Sequence, residues 1–321
     1  MANPEGDILD MEKRNLGKSD LKVSIAGLGC NNFGWFLDKE KSLEVISAAL
    51  DAGINFFDTA NNYGFPPGES ERILGEAFRG RRDSVIIATK VGDKVGDSDD
   101  NQGAAPAYVR QALEESLANL GTDYVDLYQL HYPDPKVPIG ETLAAFDQLI
   151  QEGKVRYVGC ANHSAGQLAE ALDAAGATHR AAFISCQSEY SLLARDVESE
   201  LAPLMVANGV GFLPYFPLAN GLLTGKYLGG DDSSGRLETL KQIPFFDKFL
   251  TPERFEKVSR LGEISRKSSI PMVKLALGWL AAKPFVSSVI AGATKPEQVY
   301  ANAQACMTVL PQDIMAELDQ L

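Results

Sequence analysis

The 321-residue chain has three histidines, four cysteines and no hydrophobic run long enough to cross a bilayer. Its longest apolar helical run, residues 275–282, is bounded by Lys274 and Lys283 and falls far short of the roughly 20 residues that a spanning helix needs. Cys30, Cys160, Cys186 and Cys306 form no C-x-x-C spacing, and three of them lie in apolar, strand-like surroundings where Cys acts as a small hydrophobe. A reduced, intracellular protein is expected. The start, MANPEGDILDMEKRN, has no apolar core of a signal peptide, so cytoplasmic residence is expected. Thirty basic residues stand against 43 acidic ones, a formal charge of −13, with no Lys/Arg cluster. That argues against nucleic acid or anionic membrane surfaces as partners.

Enzyme signatures are missing as well. There is no G-x-S-x-G elbow, no H-x-H and no H-E-x-x-H. The turn Gly27-Leu28-Gly29-Cys30-Asn31-Asn32 carries Asn32 where a Rossmann G-x-G-x-x-G needs its third glycine. Gly221-Leu222-Leu223-Thr224-Gly225-Lys226 is one residue short of a Walker A loop, and Tyr227 replaces the required Ser/Thr. Asn162-His163-Ser164 is a formal glycosylation sequon in a chain with no sign of secretion.

What is present is a rhythm. Residues 13–23 predict a hairpin turning at Gly17-Lys18-Ser19-Asp20. Strand-like runs follow at 23–29, 54–59, 85–90, 125–131, 155–161, 182–187, 210–216 and 286–292. Helical periodicity fills 41–52, 71–79, 107–120, 139–152, 165–175 and 197–208, with Gly53, Gly121 and Gly153 as stop signals. The strands are apolar without alternation, as in a parallel sheet buried on both faces. Eight strand–helix units predict a (β/α)8 barrel, one domain over residues 1–321 with 1–12 as a flexible tail. The long interval 218–290 holds a loop signal at 229–236, an apolar anchor at 243–246, and helices at 252–268 and 272–282. A loop of that length is expected to be functional or mobile.

A barrel brings its strands' C-terminal ends to one face. Three successive strands then deliver Asp58 with Tyr63 behind it, Lys90, and His131. A lysine ending a buried strand needs a counter-charge, and Asp58 is the neighbour. A lysine cation about 4 Å away favours a phenolate by roughly 4 kcal/mol at an effective dielectric of about 20. That is enough to bring Tyr63 from its ordinary pKa of about 10 into reach of neutral pH. Asp58 would keep the lysine charged and aimed, and His131 would orient a substrate oxygen. This chemistry delivers a proton to an oxygen gaining negative charge, as in carbonyl reduction. The alternatives are a purely structural Asp–Lys pair and a hydrolytic metal centre of Asp58, His131 and Asp134. A lysine beside those ligands would compete for the carboxylate.

These residues, in this order, resemble the catalytic tetrad of the aldo-keto reductases. The words FFDTANNYG, ATKVG, LYQLHYPDP, EGKVRYVGCANH, CQSEYSLL, PYFPLANGLLTGKY and VIAGATKPEQVYANA match too, over residues 13 to 310. The resemblance implies a (β/α)8 barrel holding NADPH in an extended pose without a Rossmann fold. It also implies hydride transfer between nicotinamide and a carbonyl carbon, with Tyr63 protonating the oxygen. Asn162, after Ala161, and Gln187 would contact the carboxamide; many members have Ser where Ala161 stands. Tyr215 would stack on the nicotinamide, and Leu218, Ala219, Asn220 and Lys226 would lie along the pyrophosphate. Gly292, Thr294, Lys295, Gln298 and Asn302 match the adenosine end, where Ala301 stands in place of a common Glu. Thr294 and Lys295 at a helix N-terminus suit a 2′-phosphate, favouring NADPH over NADH.

Asn31, Phe33 and Trp35 are expected to wall the substrate pocket, and an ending at Leu321 implies an open one. The carbonyl itself is left open among sugar-derived, polyketide-like and xenobiotic classes. An NADPH-binding regulatory or redox-sensing subunit, as among the related potassium-channel β subunits, is the alternative function.

Overall fold

The computed structural model describes residues 10–96, 101–178, 181–226 and 250–321. The expected loop 229–236, the anchor 243–246, His179 and most of the expected tail lie outside them. Its last residues are anchored: Met11 is buried, and the Glu12 carbonyl accepts from Ile25 N at 2.8 Å.

The chain opens with the hairpin, β1 (Lys13–Asn15) antiparallel to β2 (Lys22–Ser24). Leu16 N donates to Leu21 O across the turn. Eight parallel strands follow: β3 (Ala26–Gly29), β4 (Phe56–Asp58), β5 (Ile86–Val91), β6 (Val125–Leu130), β7 (Val155–Ala161), β8 (Ser185–Glu189), β9 (Gly211–Tyr215) and β10 (Val289–Gly292). From β3 to β9 each pairs with the next, and β10 pairs with β3. Between β9 and β10 the ring is joined by residues just before β10. Phe212 N donates to Phe285 O, Ser287 N donates to Phe212 O, and Val286 bridges Phe212. This is the expected (β/α)8 barrel.

The surrounding helices are α1 (Lys39–Asp51), α2 (Glu69–Ala77), α3 (Pro106–Leu120), α4 (Ile139–Gln151), α5 (Ala165–Thr178), α6 (Leu201–Asn208), α7 (Pro252–Ser268), α8 (Met272–Ala281), α9 (Pro296–Cys306) and α10 (Gln312–Leu318). Their ends carry local causes. Asp38 caps α1 by accepting from Lys41 N, Thr251 caps α7 ahead of Pro252, and Gly121 ends α3 in the left-handed conformation. No described helix is long and apolar enough to cross a membrane.

Three expected elements differ. The run 23–29 is two strands, because Ser24 and Asn55 exchange backbone-to-side-chain hydrogen bonds that hold β2 apart from β3. The helix 197–208 is a 3-10 turn (Asp196–Glu198) followed by α6, broken at Glu200 with φ −128° and ψ −45°. Tyr190 and Arg195 both donate to the Glu198 carboxylate, which fixes the first segment separately. The strand expected at 182–187 starts and ends later, at Ser185–Glu189. Helix α10 was not expected.

Inside the barrel, Phe56, Ile86, Ala88, Leu127, Leu213 and Ile290 form one apolar cluster, plugged from below by Leu16, Leu21 and Val23 of the hairpin. Strand side chains alternate, so residues two positions further on share the inner face. Those residues are Asp58 above Phe56, Lys90 above Ala88, Gln129 above Leu127 and Tyr215 above Leu213. The barrel is therefore greasy at its base and polar at its mouth.

At the opposite end of β6, Asp126 is fully buried. It accepts from Arg82 at 2.6 Å, Arg156 at 2.8 Å and Ile87 N at 2.9 Å, with both guanidiniums packed on the Tyr124 ring. Replacing Asp126 with Ala leaves buried donors and the Arg82 charge unpaired. The expected loss is about 3 kcal/mol of stability, read by urea unfolding; a loss under about 1 kcal/mol contradicts this account.

Candidate active site

Lys90 lies wholly within the protein, its Nζ 2.6 Å from Asp58 Oδ2 and 2.8 Å from the Thr59 carbonyl. Asp58 ends β4 and Lys90 is next to last in β5. The other Asp58 oxygen, Oδ1, accepts from Gln187 Nε2 at 2.8 Å and Gln129 Nε2 at 3.2 Å. A buried carboxylate is stable when such donors saturate it. All four participants project from the inner face of four strands.

Tyr63 stands in the loop after β4. Its N–H bonds Ala60 O, its carbonyl accepts from Ser70 N, and Gly64 follows at φ 90°, where an added Cβ would meet Glu69. Its ring centroid is 5.1 Å from Lys90 Nζ and 6.0 Å from the His131 ring, which meets it edge-on at 77°. His131 follows β6, is 6% exposed, stacks on Tyr132, and leaves Nδ1 without a hydrogen-bond partner. The four expected residues converge.

Their protonation differs from the expectation. Burial pushes the Tyr63 phenol well above its ordinary value, and the Asp58 charge raises it further, with Tyr132, Asp93 and Cys30 adding to the rise. Burial and the Asp58 carboxylate outweigh the Lys90 cation at this phenol. Tyr63 is thus a protonated phenol at rest. Burial holds the His131 imidazole well below its ordinary range, and the Lys90 charge acts in the same direction, so it is neutral.

The remaining expected contacts fall on the same face. Ala161 is buried at the end of β7. Asn162 follows at φ 59°, donating from Nδ2 to His131 O at 3.0 Å and accepting at Oδ1 from the Tyr215 hydroxyl at 2.8 Å. Gln187 reaches Asp58, as above. Leu218 leads into a 3-10 turn (Ala219–Thr224) in which Ala219, Asn220 and Gly221 have φ 46°, 57° and 98°. Both polar atoms of the Asn220 side chain are buried without a hydrogen-bond partner among the described residues. Lys226 is exposed at the edge of the described segment.

Gly292 ends β10, and Thr294 gives its N–H and hydroxyl to Gln298 Oε1. Lys295 is exposed before α9 and carries no ion pair among the described residues, while Asn302 is mostly buried in that helix. Of the expected pocket wall, Phe33 is sealed in the outer core, whereas Trp35 is exposed and packs on Phe36 and Phe65. Asp134 accepts from Ala104 N and Lys136 N. His163 donates from Nδ1 to Ala161 O, a core role.

Gln129 escaped the sequence reading. Its only signal was a second polar residue, after Asp126, two positions before His131 in the same buried strand.

The chain is similar to known proteins over nearly its whole length. The family profile "Aldo/keto reductase family" matches residues 26–321. The chain is 36% identical over 319 residues to an Arabidopsis thaliana protein named "Probable voltage-gated potassium channel subunit beta", covering 97% of this chain and 95% of that protein. It is 35% identical over 329 residues to "L-glyceraldehyde 3-phosphate reductase" of Escherichia coli O157:H7, covering 100% and 94%. A Bacillus subtilis (strain 168) protein, "Uncharacterized oxidoreductase YqkF", is 36% identical over 299 residues, covering 92% and 91%.

Because its pKa is raised, Tyr63 stays protonated as pH climbs through the ordinary tyrosine value of about 10. Alkaline difference absorbance between the wild type and Tyr63→Phe should show this phenol ionising only above that value. A Tyr63 phenolate forming near pH 8 contradicts the assignment.

Proposed function

Since the chain belongs to the aldo/keto reductase family of oxidoreductases, we propose that it is a cytoplasmic, single-domain NADPH-dependent enzyme reducing an aldehyde or ketone to the alcohol, or the reverse. The observation that carries this reading is a protonated Tyr63 held beside a neutral His131 over a sealed Lys90–Asp58 pair.

The chain's own features fit a dinucleotide. The Asn220 amide, without a hydrogen-bond partner among the described residues, stands on a turn of successive left-handed residues and offers a donor and an acceptor to a polar ligand group. Lys295, without an ion pair among the described residues, stands at the start of α9, where a phosphate is favoured. On this reading Ala161, Asn162, Gln187 and Tyr215 border the carboxamide, and Leu218, Ala219, Asn220 and Lys226 the pyrophosphate. Gly292, Thr294, Lys295, Gln298 and Asn302 hold the adenosine end. NADPH, when bound, supplies the hydride for the carbonyl carbon.

Tyr63 holds the proton at Oη and donates it to the carbonyl oxygen. The phenolate that remains is stabilised by the Lys90 cation, which Asp58 keeps charged and aimed. His131, neutral and facing Tyr63, fixes the oxygen's position. In the oxidation direction Tyr63 takes the proton back. Reduction needs the protonated phenol, so its rate should hold through neutral pH and fall only as pH rises above the Tyr63 value.

The test follows NADPH absorbance against a panel of carbonyls, including L-glyceraldehyde 3-phosphate, the compound in the name of the E. coli relative. Tyr63→Phe should lose about 10²–10⁴-fold in kcat with little change in NADPH binding; full activity in that variant sinks the mechanism. Similarity to a channel β subunit favours a second reading, an NADPH-binding regulatory subunit. Tight NADPH binding with no carbonyl turned over would select it.

A further inference from the structure

Gln129 sits on β6 as the register partner of Lys90 and is fully buried. Its Nε2 lies 3.2 Å from Asp58 Oδ1, and its Oε1 lies 3.4 Å from Gln187 Nε2. Gln187 in turn reaches the same Asp58 oxygen at 2.8 Å. The contact between the two amides sets their orientation: the Gln129 oxygen faces Gln187, so its nitrogen faces the carboxylate. Lys90 satisfies only Oδ2. Oδ1 would be bare in a site closed to water without the amides.

We infer that Gln129 is a positioning residue for the proposed reaction, with Gln187 as its partner: the two amides fix the Asp58 carboxylate, and through it the Lys90 ammonium beneath Tyr63. The inference rests on the proposed reductase activity. Among the described residues, Gln129 makes no hydrogen bond to Tyr63 or His131, so it acts on the chemistry through Asp58.

Two variants separate positioning from packing. Gln129→Met keeps the volume and flexibility of the side chain and removes the donor. Its kcat should fall about tenfold, the consequence of one buried acceptor losing a partner, with KM for NADPH and carbonyl within about twofold. Gln129→Glu keeps the shape but places a second carboxyl on Asp58. Two carboxyls sharing a site hold one proton more tightly, and only the protonated Glu can donate as the amide did. Its kcat should therefore be low near pH 8 and recover several-fold as pH falls towards about 6, a rise that the wild type does not show.

Circular dichroism and melting curves establish that each variant is folded. If Gln129→Met unfolds, the pH response of Gln129→Glu decides. Wild-type kcat in Gln129→Met, or a wild-type pH profile in Gln129→Glu, reduces Gln129 to packing and overturns the inference alone. A wild type that binds NADPH and reduces no carbonyl overturns the reductase reading and this role with it.

Discussion

An ammonium and a carboxylate 2.6 Å apart inside a protein are held there against the cost of taking both from water. Asp58 and Lys90 meet that cost with geometry. The lysine also donates to the Thr59 carbonyl, and the carboxylate takes two further amide donors. Removing any one partner would leave a charge or an acceptor stranded. The pair can exist only because two adjacent strands present inward residues near their C-terminal ends, Lys90 two residues beyond the register partner of Asp58, above a layer of Phe56, Ile86, Ala88 and Leu127 that keeps water out from below. The hairpin plug, the apolar barrel and the polar mouth are three aspects of one constraint.

That pairing also explains why Tyr63 differs from the expectation built on a single lysine. A bare cation at about 4 Å would pull a phenol towards ionisation. Here the carboxylate that the cation touches acts on the phenol in the opposite direction. Burial then has the larger effect, and the phenol keeps its proton. The same low-dielectric setting keeps His131 neutral. The site therefore rests with a protonated phenol beside an uncharged imidazole.

Much of the barrel was legible because its strands are short apolar runs separated by helices with clear stop signals. Seven of the eight barrel strands overlap their expected runs for most of their length, and β8 is displaced towards its C-terminus. Boundaries failed where side chains override local pattern. Ser24 and Asn55 split one run, and Glu198, gripped by Tyr190 and Arg195, split another. The joining of the ring through Phe285, Val286 and Ser287 to Phe212 could not be read from a strand pattern, since it uses single residues outside the regular strands.

The candidate site divides in the same way. Asp58, Tyr63, Lys90 and His131 were visible in the chain because polar residues closing apolar strands are costly unless they have a use, and because barrel topology gathers strand ends. Gln129 was hidden, since a lone glutamine in a strand does not announce which face it occupies or what it meets. The contact between Gln187 and Asp58, 2.8 Å long, was equally hidden, since it joins residues 129 positions apart. By itself the sequence determined the eightfold rhythm, the identity of the groups at the mouth and the need for the lysine to find a counter-charge. Only the tertiary structure decided how that charge is shared and hence which way the tyrosine proton rests. Protonation depends on distances to every neighbouring charge and on exclusion of water, and neither is a property of residues in a line.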